Sequence, residues 1–139
     1  MYDKLVIEKH LTALLLDLKN LEKYKNVTEE EIKGNTDLLW ILERGIYLSL
    51  QNIFDCLSHI ISASLNKKWE SYADISNVLY DEGFIDESKN DLLITMAGFR
   101  NRLSHDYLGL DLEIITNIVN NRLDDFNFFV KLISGYVEK

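Results

Sequence analysis

Thr36-Asp37-Leu38-Leu39-Trp40-Ile41-Leu42-Glu43-Arg44-Gly45-Ile46-Tyr47-Leu48-Ser49-Leu50-Gln51-Asn52-Ile53-Phe54-Asp55-Cys56-Leu57-Ser58-His59-Ile60-Ile61 is the core of the segment that decides the fold. Asn35 or Thr36 supplies a helix cap, and the pattern continues to about Leu65. About thirty residues of helix span roughly 45 Å. Apolar positions occupy more than one stripe of this helix, so most of its circumference must be buried. In so short a chain the economical cover is a second copy, which predicts a homodimer. The alternative places the helix at the centre of a five-helix monomer.

Towards the N-terminus, residues 3–24 carry Leu5, Ile7, Leu11, Leu14, Leu15, Leu18 and Leu21 at spacings of three and four, which predicts a first helix. Thr28 followed by Glu31 is a capping-box pattern that opens a short helical turn, ended by Gly34. Towards the C-terminus, Asn66-Lys67-Lys68 is a polar break. Ser71 caps a helix over 71–81 that carries Ile75, Val78 and Leu79, and Gly83 closes it. Asp86 caps the next helix, with Leu92, Leu93, Met96 and Phe99 as its buried stripe. Gly109 marks a bend. Asp111 caps a last helix carrying Ile114, Ile115, Ile118, Val119, Leu123, Phe126, Phe129, Val130, Leu132 and Ile133. No segment has strand period. The expected architecture is all-α: one domain over residues 1–139, an antiparallel bundle of about five helices.

The 139 residues suffice for one core without staples. The chain has no proline, so nothing forces a long helix to stop. Cys56 is the single cysteine, which excludes an intrachain disulfide and fits a reducing compartment. Charges in Met1-Tyr2-Asp3-Lys4-Leu5-Val6-Ile7-Glu8-Lys9 interrupt any signal-peptide core. No apolar run approaches the roughly 20 residues of a membrane span, so a cytoplasmic protein is expected. A formal net charge of −8 argues against sequence-blind coating of nucleic acid, though not against a small basic cleft on an acidic body.

Such a cleft has one source. The fourth helix delivers Arg100 to His105 at or near its end, within Arg100-Asn101-Arg102-Leu103-Ser104-His105-Asp106-Tyr107, a stretch that holds two guanidiniums, an amide, an imidazole and a phenol. Asn101 and His105 are four apart and share a helix face, and Arg102 nearly does. Arg100 lies about 140° from His105 on an ideal wheel, so one copy gives a loose site and two facing copies a compact pocket. That pocket suits RNA cleavage. A histidine that titrates near neutrality can take the proton from a ribose 2′-hydroxyl, which then attacks the adjacent phosphorus. Arginine matches two phosphate oxygens and stabilises the charge that builds there. No cofactor is implied, and His10, His59, His105 and Cys56 have no metal-ligand spacing.

The stretch resembles the signature of the HEPN superfamily: an arginine and a polar residue, then a histidine after four to six intervening residues. Arg100, Asn101 and His105 fit it. With Leu103 and Tyr107 the pattern is similar to the HepT toxin subfamily, as are Asp55 within the long helix, the Ser71-Tyr72 helix start and the Gly83-Phe84-Ile85-Asp86 turn. The resemblance implies a metal-independent ribonuclease, homodimeric with a composite cleft, in which Arg100 and His105 are the catalytic pair and Asn101 supports them. It implies as partner an MNT-type nucleotidyltransferase antitoxin that transfers AMP to the tyrosine matched by Tyr107. Nucleotide phosphates added beside Arg100 and His105 would fill the phosphate site and repel RNA.

Each residue also has a plainer reading. Arg100 and Arg102 satisfy the carbonyls and dipole of a helix C-terminus; Tyr107 is a core tyrosine tied to backbone. Asp55, inside an apolar helix, needs a partner, for which Arg100 or Arg102 is expected; otherwise it sits on a polar strip with Gln51, Asn52 and Ser58. Cys56 reads as a small core residue, and His10 and His59 as helix-face residues without a role. At the level of the whole protein, the alternative to a toxin ribonuclease is a non-catalytic HEPN module that pairs with a nucleotidyltransferase or binds nucleotide.

Overall fold

The computed structural model describes residues 4–105 and 111–138, apart from the side chains of Ser64 and His105. Among these residues there are seven α-helices and no strand: α1 Lys4–Glu22, α2 Glu29–Lys33, α3 Thr36–Ile60, α4 Tyr72–Asp81, α5 Glu87–His105, α6 Leu112–Asn121 and α7 Leu123–Val137. A π-helical turn, Ile61–Leu65, extends α3 to the point where its apolar pattern stops.

The helix starts are set by side-chain caps, each satisfying backbone N–H groups that have no partner inside the helix. Thr28 and Glu31 form the reciprocal capping box, and Ser71 and Asp74 form a second one. Asn35 caps α3 through the N–H of Leu38 at 3.1 Å. Asp86 takes the N–H of Lys89 at 2.8 Å, and Asp111 that of Glu113 at 2.9 Å. After α4 the chain turns at Gly83 with φ +81, a left-handed conformation for which glycine has no Cβ penalty.

One helix becomes two. Periodicity predicts a continuous segment after Asp111, whereas Arg122, at φ −120 and ψ 7, separates α6 from α7. Neither glycine nor proline causes the break. Asn120 instead accepts the N–H of Asn26 at 2.7 Å and donates to the carbonyl of Val27 at 2.9 Å, fastening the end of α6 to the turn between α1 and α2. Arg122 bridges Asp125 at 2.7 Å and covers the start of α7.

α3 is the central helix, in contact with α1, α2, α4, α5, α6 and α7. Its contact with α1 is close: a Cβ at Gly45 would come within 2.7 Å of Leu21 Cδ2. Leu42, Ile46, Leu50, Ile53, Phe54, Cys56 and Leu57 are at most 1% exposed. The expectation that one chain hardly covers this helix is therefore corrected. Six helices of the same chain cover its apolar positions from Leu42 onward, as at the centre of a bundle, and leave Arg44 exposed. Trp40, 68% exposed, and Ile41, 47%, remain open at its N-terminal end.

Candidate functional site

α5 carries Arg100 to the flank of α3. Tyr47, Gln51 and Asp55 follow one another at intervals of four on α3, so they form a ladder along one helix face. Arg100 docks on this ladder. Its Nε and Nη2 both donate to Gln51 Oε1, at 2.9 and 2.6 Å, and Nη2 lies 3.4 Å from the Tyr47 hydroxyl. Nη1 reaches Asn101 Oδ1 at 3.4 Å. The Arg100 Cζ stands 5.4 Å from the Tyr47 ring centroid and 4.8 Å from that of Tyr72, so two aromatic faces flank the cation. Tyr72 is the first residue of α4 and stacks on buried Phe54 at 4.7 Å. The capping box at Ser71 thus sets the position of one wall of the site.

Among the described residues, the acceptors that hold Arg100 are an amide, a phenol and a second amide, all neutral. Asp55 is not among them, which corrects the expectation that it pairs directly with Arg100 or Arg102. Its Oδ1 accepts Gln51 Nε2 at 3.0 Å, and Gln51 Nε2 also donates to the Tyr72 hydroxyl at 3.2 Å. The other carboxylate oxygen faces His10 Nδ1 of α1 at 3.8 Å. His10 contacts Asn52 Oδ1 at 3.1 Å and stacks on His59 with centroids 6.1 Å apart. Asn52 in turn donates to Asp17 at 3.2 Å. The polar strip of α3 is therefore filled from two sides, by α5 and by α1, and His10 is part of it rather than an isolated surface group.

Burial sets the titration of three neighbours. It pushes the Cys56 thiol, which is wholly enclosed, up to about 12, with Asp55 adding to the effect. It also raises Asp17, against the opposing pull of Asn52 and Arg44, and it raises Glu43. Cys56 is therefore an unreactive core thiol, with its Sγ 3.7 Å from the carbonyl oxygen of Ile7.

Asn101 and Arg102 are exposed on the outer side of α5. The backbone of His105 forms the last residue of α5, five positions beyond Arg100. Its imidazole, and the whole of Asp106, Tyr107 and Gly109, lie outside the described residues. Next to Arg100, an open groove of about 820 Å³ runs between α3 and the end of α5, lined by Trp40, Ile41, Tyr47, Leu103 and Ser104 and by one charge of each sign, Glu43 and Arg44. Among the described residues no three His, Cys, Asp or Glu side chains are grouped as a metal ion would require.

Residues 14–133 match the family model described as ribonuclease HepT-like. The chain belongs to the HepT-like ribonuclease family. It is 30% identical over 98 residues to the mRNA nuclease HepT of Shewanella oneidensis, an alignment covering 68% of this chain and 74% of that protein. It is 25% identical over 143 residues to the tRNA nuclease HepT of Aphanizomenon flos-aquae, covering 97% and 92%. Among solved structures, the tri-AMPylated Shewanella oneidensis HEPN toxin in complex with its MNT antitoxin shares the fold, with a TM-score of 0.83 at 23% identity over 97% of this chain and 99% of that one. For a HepT-like chain the sequence signature around Arg100 was legible, whereas Gln51, Tyr47 and Tyr72 were not assigned to it. Their signal was the four-residue spacing Tyr47, Gln51, Asp55 on an otherwise apolar helix.

Proposed function

We propose that this chain is the toxin of a HEPN/MNT toxin–antitoxin pair, a metal-independent endoribonuclease that works in the cytoplasm. Arg100 and His105 are its catalytic pair, with Asn101, Arg102 and Asp55 in support. The observation that carries the reading is the state of Arg100. Its guanidinium is half-buried and fixed between two rings, yet every acceptor that holds it among the described residues is uncharged, so its positive charge stays available to a phosphate.

His105 takes the proton of the ribose 2′-hydroxyl, and the 2′-oxygen bonds to phosphorus. The bond to the 5′-oxygen breaks, and that oxygen leaves with a proton from a second imidazole. The products are a cyclic phosphate and a 5′-hydroxyl end. The second imidazole comes from a second copy. Leu103 and Ser104 share the groove with exposed Trp40 and Ile41, so an apolar surface adjoins the arginine and favours a homodimer across this face. The relatives named nucleases of tRNA and mRNA support RNA as substrate. The AMPylated toxin bound to its antitoxin supports an MNT-type nucleotidyltransferase as partner and AMP as the group it transfers; we assign Tyr107 as the acceptor.

The test is cleavage of RNA by purified protein in excess chelator, with Arg100→Ala and His105→Ala as controls. Both variants should lose cleavage while remaining folded. Equal activity of wild type and His105→Ala would overturn the catalytic assignment, and RNA binding without cleavage by wild type would favour a binding module. Light scattering should give a dimer that Trp40→Glu converts to monomer. Mass spectrometry after co-expression with the nucleotidyltransferase should place AMP on the peptide holding Tyr107.

A further inference from the structure

A side-chain amide has two nearly isosteric ends, one accepting and one donating, and only one orientation suits a given pair of neighbours. Gln51 lies between a cation and an anion. The Asp55 carboxylate can only accept, so the Gln51 nitrogen must face it; that contact is 3.0 Å. The Tyr72 hydroxyl takes the same nitrogen at 3.2 Å. The Gln51 oxygen is thereby turned towards Arg100, where it receives two N–H donors at 2.9 and 2.6 Å. The opposite orientation would set donor against donor at the guanidinium and acceptor against acceptor at the carboxylate. Asp55 is kept in place on its far side by His10 of α1, 3.8 Å away.

We propose that Gln51 is a positioning residue for Arg100, and that Asp55 acts only through Gln51, by fixing which end of the amide meets the guanidinium. The arrangement anchors the cation without neutralising it. A carboxylate at position 51 would hold Arg100 as firmly and cancel the charge that a phosphate needs. The consequence for cleavage rests on the ribonuclease reading above; the consequence for Arg100 itself does not.

The test compares wild type with Gln51→Leu, Gln51→Glu, Asp55→Asn and the Gln51→Glu/Asp55→Asn pair. Two quantities are measured: kcat and KM on an RNA oligonucleotide across pH, and solvent exchange of the Arg100 Nε–H by NMR. Gln51→Leu should speed that exchange and lower kcat by about tenfold to a hundredfold, with a smaller change in KM, as a loosened catalytic group does. Gln51→Glu places two carboxylates in contact, with His10, Tyr47, Tyr72 and Arg100 the other titratable groups around them. That pair shares a proton at low pH and repels when it is lost, so activity should gain a new decline towards high pH. In the double variant the new amide at position 55 donates to the new carboxylate at position 51. Exchange protection should return and the added pH limb vanish, while KM stays raised because Arg100 is now paired with an anion. Asp55→Asn alone frees the amide to flip and should speed exchange. If Gln51→Leu does not fold, the exchange and pH profile of Gln51→Glu against the double variant decide. Arg100 exchange, kcat and pH profile unchanged in Gln51→Leu, or in Gln51→Glu, would overturn the proposal. If the wild type cleaves no RNA, the ribonuclease reading fails and the exchange measurement alone judges the role of Gln51.

Discussion

Tyr72 separates the contribution of a ring from that of a hydroxyl, and its two obvious variants should differ widely. The ring is half-buried, lies against Phe54 at 4.7 Å with planes 16° apart, and faces the Arg100 guanidinium at 4.8 Å. Truncating a fully buried aromatic to alanine costs about 3 to 5 kcal/mol, and half-burial brings that to about 2. The lost stack and cation contact add about 0.5 to 1 kcal/mol each. Tyr72→Ala should therefore destabilise the chain by about 3 kcal/mol. Among the described residues the hydroxyl accepts one hydrogen bond, from Gln51 Nε2, and that donor keeps Asp55 as a partner. Tyr72→Phe should cost under about 1 kcal/mol. At this chain length 1 kcal/mol moves Tm by roughly 3 to 4 °C, so the expected losses are about 10 °C for alanine and no more than about 3 °C for phenylalanine. Thermal unfolding followed by circular dichroism gives both. If phenylalanine costs as much as alanine, the ring packing inferred for this wall of the site is wrong.

Three further outcomes are expected. The Cys56 thiol is pushed from 9.0 to about 12 in the fold, so above pH 9 the unfolded chain loses the proton first and stability falls as pH rises. By pH 10 the loss is about 1 to 2 kcal/mol in urea unfolding relative to Cys56→Ala, and the native thiol should resist a thiol reagent until the chain unfolds. Asn120→Ala removes both bonds to the turn at Asn26 and Val27, costing about 1 to 2 kcal/mol and speeding hydrogen exchange at the Asn26 amide; Asn120→Asp should restore only the Asn26 protection. RNA binding by His105→Ala, measured by anisotropy, should weaken with salt with a slope no steeper than about −4, the value for six phosphates met by Arg44, Arg100 and Arg102 of two copies. A much steeper slope would mean a basic surface beyond the cleft.

What could be read from the sequence was what is local. Thr28, Asn35, Ser71, Asp86 and Asp111 cap helices because each acts within three residues of itself. The long apolar helix and the Arg100–His105 stretch are likewise patterns along the chain. The break at Arg122 is not legible along the chain, and the group that fastens the end of α6 there, Asn120, meets a turn 93 residues away. The cover of α3 is illegible for a related reason: periodicity gives the width of an apolar face but not how many helices of the same chain reach it. Asp55 is conspicuous as a carboxylate among apolar residues, yet its partner is not an arginine. Charge logic seeks an opposite charge, and the group that meets it is a neutral amide four residues earlier on the same helix.

That neutral amide also resolves the tension between an acidic chain and a nucleic-acid substrate. The formal charge of −8 sets a field that repels RNA over most of the surface. A site on such a body must keep the charge of the few cations it has. Opposite charges about 4 Å apart near a protein surface attract by about 4 kcal/mol, and a phosphate would have to compete with that if Asp55 gripped Arg100 directly. With Gln51 interposed, the carboxylate orients the amide and the amide orients the guanidinium, so the anion acts on geometry at one remove from the cation. The two tyrosine rings limit the remaining freedom of Arg100 without supplying a counter-charge. Specificity for the cleft over the rest of the surface then needs no broad basic patch, because repulsion elsewhere and the unneutralised Arg100 of each copy act together.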